Sequence, residues 1–279
     1  MADTLRHIQL YAISAAFLLL WLAEAWVPHH RPARPWWRHT GLNLVLNALY
    51  LLAGILFSFA NTCLAQWAQQ HHTGLLYWMR LPSPFAIIAG VLLLDLAAYV
   101  GHVFKHKWPL FWRFHQVHHS DTYLDVTSGF RFHPLEAFIS WLFLVPAILL
   151  GGISLLSILI FALAYAGAAL VQHANINSPS WLDRIIRCVF VSPGFHRVHH
   201  SPNREETDSN YSALFSFWDR IFGTWRSLRS DPEMEFGLRL PEQSCNSLRG
   251  TLLDPFAARE ASRPNATPSD SRIPTVVER

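Results

Sequence analysis

Ten of the sixteen histidines in this 279-residue chain lie between residues 102 and 200, as His102/His106, His115/His118/His119, His133, His173 and His196/His199/His200. A neutral imidazole offers a nitrogen lone pair to iron, zinc or copper, so a set of this size points to a centre holding more than one metal ion. His102 and His106 are four apart and share one face of a helix. His-Gln-Val-His-His-Ser (115–120) directs its rings by the same three-and-four rule, while the adjacent His118 and His119 diverge by about 100°. That divergence lets them serve different ions, or one ion and one hydrogen bond. One such triplet would ordinarily be a solvated helix face, but His-Arg-Val-His-His-Ser (196–201) repeats the pattern almost residue for residue, and recurrence argues for a shared task. His133, in Phe-Arg-Phe-His-Pro, and His173, in Gln-His-Ala-Asn, join the set as expected ligands or immediate neighbours of the ligands.

Asp95 and Tyr99 precede His102 by seven and three residues and fall on its stripe. Asp95 is expected to accept an imidazole N–H and fix its tautomer, since an acid inside an apolar helix is costly unless it has a role. Structural zinc takes four ligands and usually some thiolate, whereas Cys63, Cys188 and Cys245 lie far apart with no Cys-x-x-Cys pair. Two ions with four or five imidazoles each fit the count better. Ligation by neutral imidazoles leaves the ions' charge uncompensated and favours oxygen-derived anions, which makes non-haem iron the expected metal. His7, His29, His30, His39, His71 and His72 lie outside the window and read as interfacial residues.

The elements that carry these histidines are hydrophobic. Only 15% of residues are charged and 14% are aromatic. Ile8 to Val27 holds one charge, Glu24; Gly41 to Ala60 holds none; Phe85 to Phe104 holds only Asp95; and Ile139 to Val171 holds none. Each is about long enough to cross a hydrocarbon core of about 30 Å. The last run contains Pro146 and Gly151-Gly152 and reads as a hairpin whose first arm either crosses or re-enters. The expected fold is all-α, an integral membrane bundle of four to five segments with a helical cap carrying the histidine boxes. Arg31, Arg34 and Arg38 crowd the first loop, Arg80 stands alone in the second, and Lys105, Lys107, Arg113 and Arg131 fill the third. The positive-inside rule then puts the N-terminus outside and all ten histidines on the cytoplasmic face. Leu10 to Leu20 followed by Ala-Glu-Ala also resembles a signal peptide, but cleavage there would export the Arg-rich loop, so the first segment is read as a retained helix. A net charge of +3 is accounted for by membrane orientation, and nothing in the sequence suggests nucleic-acid binding.

Taken together, Asp-Leu-Ala-Ala-Tyr-Val-Gly-His-Val-Phe-Lys-His (95–106), Phe-His-Gln-Val-His-His-Ser (114–120), Arg-Phe-His-Pro (131–134), His-Ala-Asn (173–175), His-Arg-Val-His-His-Ser (196–201) and Asn-Tyr…Trp-Asp-Arg-Ile-Phe-Gly-Thr (210–224) resemble the fatty acid hydroxylase and sterol desaturase superfamily. The resemblance implies a membrane di-iron oxygenase that uses O2 and externally supplied electrons on C–H bonds of a lipid. The electrons would come from a cytochrome b5-, ferredoxin- or reductase-like donor. The resembling stretch marks a catalytic domain (88–225); composition sets N-terminal membrane helices (1–87) before it and a polar tail (226–279), largely disordered toward its end, after it. The resemblance also places Asn175, Asn210, Tyr211 and Asp219, with Asp95 and Tyr99, around the ligands. Ser212 stands where members often have Gly, and Val191-Ser192-Pro193 varies a usual Thr-Pro lead-in. The short chain suggests a bacterial inner-membrane protein. A lipid desaturase with the same centre, or a histidine-rich membrane protein that binds or transports metal, are the competing functions.

Overall fold

Prolines and small caps decide where the helices break. The computed structural model describes residues 2–30, 36–227, 234–238, 240–241 and 245–257. Its long helices are α1 (Ala2–Trp26), α2 (Trp36–Gln70), α4 (Ser83–Lys107), α6 (Leu135–Gly151) and α7 (Leu155–His173), with a short α3 (Leu75–Trp78) between α2 and α4. The cap is made of α5 (Pro109–His119), a 3-10 turn (Val126–Phe130), α8 (Ser180–Ile186), α9 (Pro193–His199), α10 (Arg204–Thr207), α11 (Phe217–Ile221) and α12 (Leu248–Leu253). Trp108, the residue before Pro109, is extended and ends α4, and Pro109 opens α5; proline disfavours helix in the residue before it and is preorganised to start one. Ser192 caps α9 by accepting from Phe195 N–H, so the departure from Thr-Pro keeps the same capping oxygen.

Among the described residues four helices, α1, α2, α4 and α7, are long and apolar enough to cross a membrane, while α6 is a shorter apolar helix. The protein is an integral membrane helical bundle. The hairpin of α6 and α7 turns at Gly152, which is left-handed at φ 65°, and Pro146 stays within α6. A Cβ on Gly152 would lie 2.4 Å from Thr73 O, and one on Gly74 2.2 Å from Gly152 N. Both positions therefore require glycine. This contact lies just beyond the end of α2, so α6 runs alongside the second half of α2 all the way to its end. Around that contact Ala65, Leu76, Leu94, Ile148, Ile153 and Phe161 form the apolar core. The ends of α1, α4 and α7 and the starts of α2 and α6 all gather at the opposite, histidine-bearing end.

Buried polar groups hold that end together. Arg131 donates to Val117 O at 2.9 Å, Asn43 Oδ1 at 3.0 Å, Ser120 Oγ at 3.1 Å and Cys245 O. It therefore ties α2, α5 and the C-terminal segment together and is not a loop charge facing solvent. His39, expected at the interface, pairs with Asp121 at 2.8 Å and Asp125 at 3.3 Å. In the polar tail, expected to be disordered only toward its end, Leu238 N–H bonds His119 O at 3.1 Å, and Phe256 packs on Phe114. Residues 258–279 lie outside the described residues.

Glu24 makes α1 part of the fold. Its buried carboxylate accepts Val126 N–H at 2.7 Å and Asn175 N–H at 2.6 Å, joining α1 to the 3-10 turn and to the exit of α7. Glu24→Ala strands two buried backbone donors, each worth about 1–3 kcal/mol. Thermal melts in detergent should show a loss of about 2–4 kcal/mol; an unchanged melting point would mean α1 does not depend on this contact.

Candidate metal centre

The break at Trp108-Pro109 folds α5 back along the end of α4, which brings two histidine boxes face to face. His102 and His106 from α4, His115 and His119 from α5, and His199 from α9 form one group. His118 from α5, His173 from the end of α7, His196 from α9 and the following His200 form a second. Within each group the candidate ligand nitrogens lie within 4.8 Å of one another. The adjacent pairs divide between the groups: His119 and His199 turn to the first, His118 and His200 to the second. The 100° step between successive helical residues produces this division. His119 and His200 stack at 4.6 Å where the groups meet.

The rings point Nε2 inward. In the first group His102 Nε2 stands 3.1 Å from His115 Nε2 and 3.0 Å from His199 Nε2. In the second His173 Nε2 stands 3.2 Å from both His118 and His200 Nε2 and 3.0 Å from His196 Nε2. Nδ1 faces outward. His102 Nδ1 donates to Tyr211 O, His199 Nδ1 to Ser209 O and His173 Nδ1 to Ala169 O, all at 2.7 Å. A carbonyl only accepts, so each of these rings carries its proton on Nδ1 and, being neutral, leaves Nε2 bare. Burial holds His118, His119, His196 and His200 well below the ordinary imidazole range, helped by neighbouring imidazoles. His199 is pushed by burial down to about 3. Burial also lowers His115, against the pull of Glu136.

His133 joins neither group, contrary to expectation. Its Nδ1 accepts Leu135 N–H at 3.1 Å and its Nε2 donates to Leu252 O at 3.3 Å. No lone pair is left for a metal, because the ring caps the start of α6 and holds the C-terminal strap. His133→Ala should leave the bound metal per chain unchanged while lowering stability by about 1–3 kcal/mol. Metal analysis showing loss of an ion would return His133 to the ligands.

The residues expected around the ligands divide by what they touch. Asp95 accepts no imidazole proton; it takes Leu214 N–H at 3.2 Å, Phe215 N–H at 3.1 Å and Trp218 Nε1–H at 2.8 Å, anchoring the segment after the third box to α4. Tyr99 bonds Thr224 at 2.8 Å. Asn175 grips His30 and Tyr123 just past His173. Tyr211 lays its ring against His102, His106 and His199. Asn210, at φ 53°, bonds Phe195 O and Arg226, and asparagine tolerates this left-handed turn better than most residues. The turn leaves the carbonyls on either side of it, Ser209 and Tyr211, on His199 and His102. Asp219 holds that loop through Tyr211 N–H at 2.8 Å and Ser212 N–H at 2.9 Å. Asn210 and Asp219 thus act on the histidines only through backbone.

Sequence reasoning missed Glu136 and Lys105. Glu136 is fully buried, accepts His115 Nδ1–H at 2.9 Å and pairs with Lys105 at 3.1 Å; Lys105 also donates to Ser140 at 2.9 Å. Lys105 reads as a loop charge and is instead buried. The available signal was an acid at the mouth of an otherwise uncharged hairpin, opposite a lysine one residue before a ligand. Asp208, 3.6 Å from His106 Nδ1, had no comparable signal.

Residues 87–224, which hold every histidine of both groups, match the fatty acid hydroxylase family. The chain is 33% identical to the alkylglycerol monooxygenase of Danio rerio over 47% of this chain and 28% of that protein. It is 30% identical to the ornithine lipid hydroxylase of Rhizobium tropici over 66% of this chain and 55% of that one. With the cholesterol 25-hydroxylase of Homo sapiens it shares 26% identity over 59% and 66%. The chain spans from about a quarter to just over half of the length of the first two relatives. No solved structure matches it. Through residues 87–224, the stretch that builds both histidine groups, the chain belongs to the fatty acid hydroxylase family.

Proposed function

We propose that this chain is a di-iron oxygenase that hydroxylates a C–H bond of a membrane lipid, using O2 and electrons from a separate donor. The observation that carries this reading is the pair His102 and His199. Both hold their protons on Nδ1, and their bare Nε2 atoms face each other at 3.0 Å. Two lone pairs that close repel each other unless a cation lies between them. His106 and His119 reinforce it, with both ring nitrogens buried and without a hydrogen-bond partner. The donor set of neutral imidazoles with no thiolate suits iron, with His102, His106, His115, His119 and His199 holding one ion and His118, His173, His196 and His200 the other. Iron bound there would supply the oxidising power toward an unreactive C–H bond. The chain's part is to keep nine imidazoles neutral, orient them through backbone carbonyls and Glu136, and exclude water around them.

The named relatives act on alkylglycerols, ornithine lipids and cholesterol, which supports a lipid substrate. The proposed orientation has the N-terminus outside and the histidine end in the cytoplasm of a bacterium, with the protein in the inner membrane. Arg80 is the only Lys or Arg from His39 to Phe104, while Arg38 and Lys107 are exposed at the histidine end. Lipid extracts from cells with and without the protein, grown under 18O2, test the reaction. One labelled oxygen gained in a lipid supports hydroxylation; loss of two hydrogens without label replaces it with desaturation. No lipid change together with metal flux in proteoliposomes would replace it with transport.

A further inference from the structure

Beyond the histidine end, the surface carries an apolar patch that the proposed chemistry does not use. Trp181 and Ile185 on α8, Val189 and Phe190 after it, and Ile221 and Phe222 at the end of α11 are between 47% and 63% exposed. The two segments that carry them are joined. Phe190 bridges to Phe215 by backbone and stacks on it at 5.5 Å, and Arg220 donates to Arg187 O and Cys188 O, locking the two segments together. Contiguous exposed apolar area of this kind marks a contact surface.

Two observations identify what it contacts. The first is its position beside the membrane helices. α8 begins at Ser180, soon after α7 ends at His173. Phe222 stacks on Tyr99 of α4 at 5.2 Å, and Asp95 of α4 holds Leu214, Phe215 and Trp218. Asp95 is twelve residues before Lys107, about 18 Å of helix, so the segment lies alongside α4 and not above its end. The second observation is charge. Residues 180–190 and 213–222 carry Arg184, Arg187 and Arg220 but only two acids, Asp183 and Asp219. Both acids are buried and accept backbone N–H groups, from Gly194 and from Tyr211 and Ser212. The surface thus offers apolar side chains and arginine and no carboxylate.

We infer that residues 180–190 and 215–222 form an interfacial element that lies in the lipid leaflet at the histidine end, its apolar side chains at the headgroup and acyl boundary and Arg184 and Arg187 on lipid phosphates. An apolar face flanked by basic residues inserts about 5–10 Å into that boundary, and anionic headgroups attract each basic residue near the surface. This element is a second attachment to the bilayer besides the crossing helices, and it brings the lipid surface against the loop that carries Tyr211.

Its position can be read without turnover, so the result stands apart from the oxygenase assignment. Cys188 lies within the patch and is exposed, as is Cys63 on α2, whereas Cys245 is buried. The full chain carrying Cys63→Ser, labelled at Cys188 with an environment-sensitive fluorophore and reconstituted in vesicles with anionic lipid, is compared with Glu205→Cys in a Cys63→Ser/Cys188→Ser background. Spin-labelled or brominated lipids should quench the Cys188 label at least about 3-fold more than the Glu205→Cys label, and aqueous iodide should do the reverse, as burial at the acyl boundary requires. Iodide quenching equal at both sites would put the patch in water and overturn the inference. So would protection from both quenchers with crosslinking between chains at Cys188, which would make the patch a contact between copies.

Discussion

His118→Ala should abolish lipid oxidation, by more than about 100-fold, and reduce bound metal from two ions to about one per chain, because three imidazoles remain where four converge. His199→Ala should abolish activity as completely while losing metal less fully, since four of the five imidazoles in its group remain. Both variants should insert normally, as both rings belong to the short cap helices α5 and α9 and not to a crossing helix. Metal analysis and lipid turnover on the same purified samples make the comparison. Full activity in both would remove the histidine groups from the chemistry. Equal metal loss in both would show that the two groups fill only together.

The second large effect falls on Glu136, which combines a structural and a metal-positioning role. Glu136→Ala leaves the Lys105 ammonium buried without its partner, and breaking a buried pair from one side costs about 3–5 kcal/mol. It also frees His115 Nδ1, and loss of a partner behind a ligand typically weakens metal binding about 10–100-fold. Glu136→Ala/Lys105→Met separates the two roles. It removes the stranded charge and should restore thermal stability to within about 1–2 kcal/mol of the parent, with metal affinity still reduced. Chelator competition and detergent melts on the single and double variants provide the readouts. A single variant that melts with the parent would mean that Lys105 has another counterion. A double variant that recovers full metal affinity would mean that His115 needs no acceptor.

The arginine and lysine count illustrates how far loop charges can be read before the fold is seen. Arg131 and Lys105 both read as charges of the third loop, yet Arg131 is enclosed by Val117, Asn43, Ser120 and Cys245, and Lys105 faces Glu136 and Ser140. Only Lys107 and Arg113 of that loop remain to support the topology. Asp95 shows the same limit. Its helical register places it beneath His102, but Leu214, Phe215 and Trp218, more than a hundred residues away, take up its oxygens.

Local spacing sufficed for the repeated boxes, the hairpin at Gly151-Gly152 and the divergence of His118 from His119, because helical periodicity and the backbone freedom of glycine act over a few residues and depend little on what packs nearby. The nine rings that converge, the division into groups of five and four, the exclusion of His133 and the acceptors behind His102, His115, His173 and His199 needed the tertiary structure. Those depend on which backbone carbonyl or carboxylate each Nδ1 meets, and three of the four partners, Tyr211, Glu136 and Ser209, come from other elements. A histidine's type and spacing state that it can ligate, but whether Nε2 is left bare is decided by the hydrogen bond on its other nitrogen, which only the assembled fold supplies.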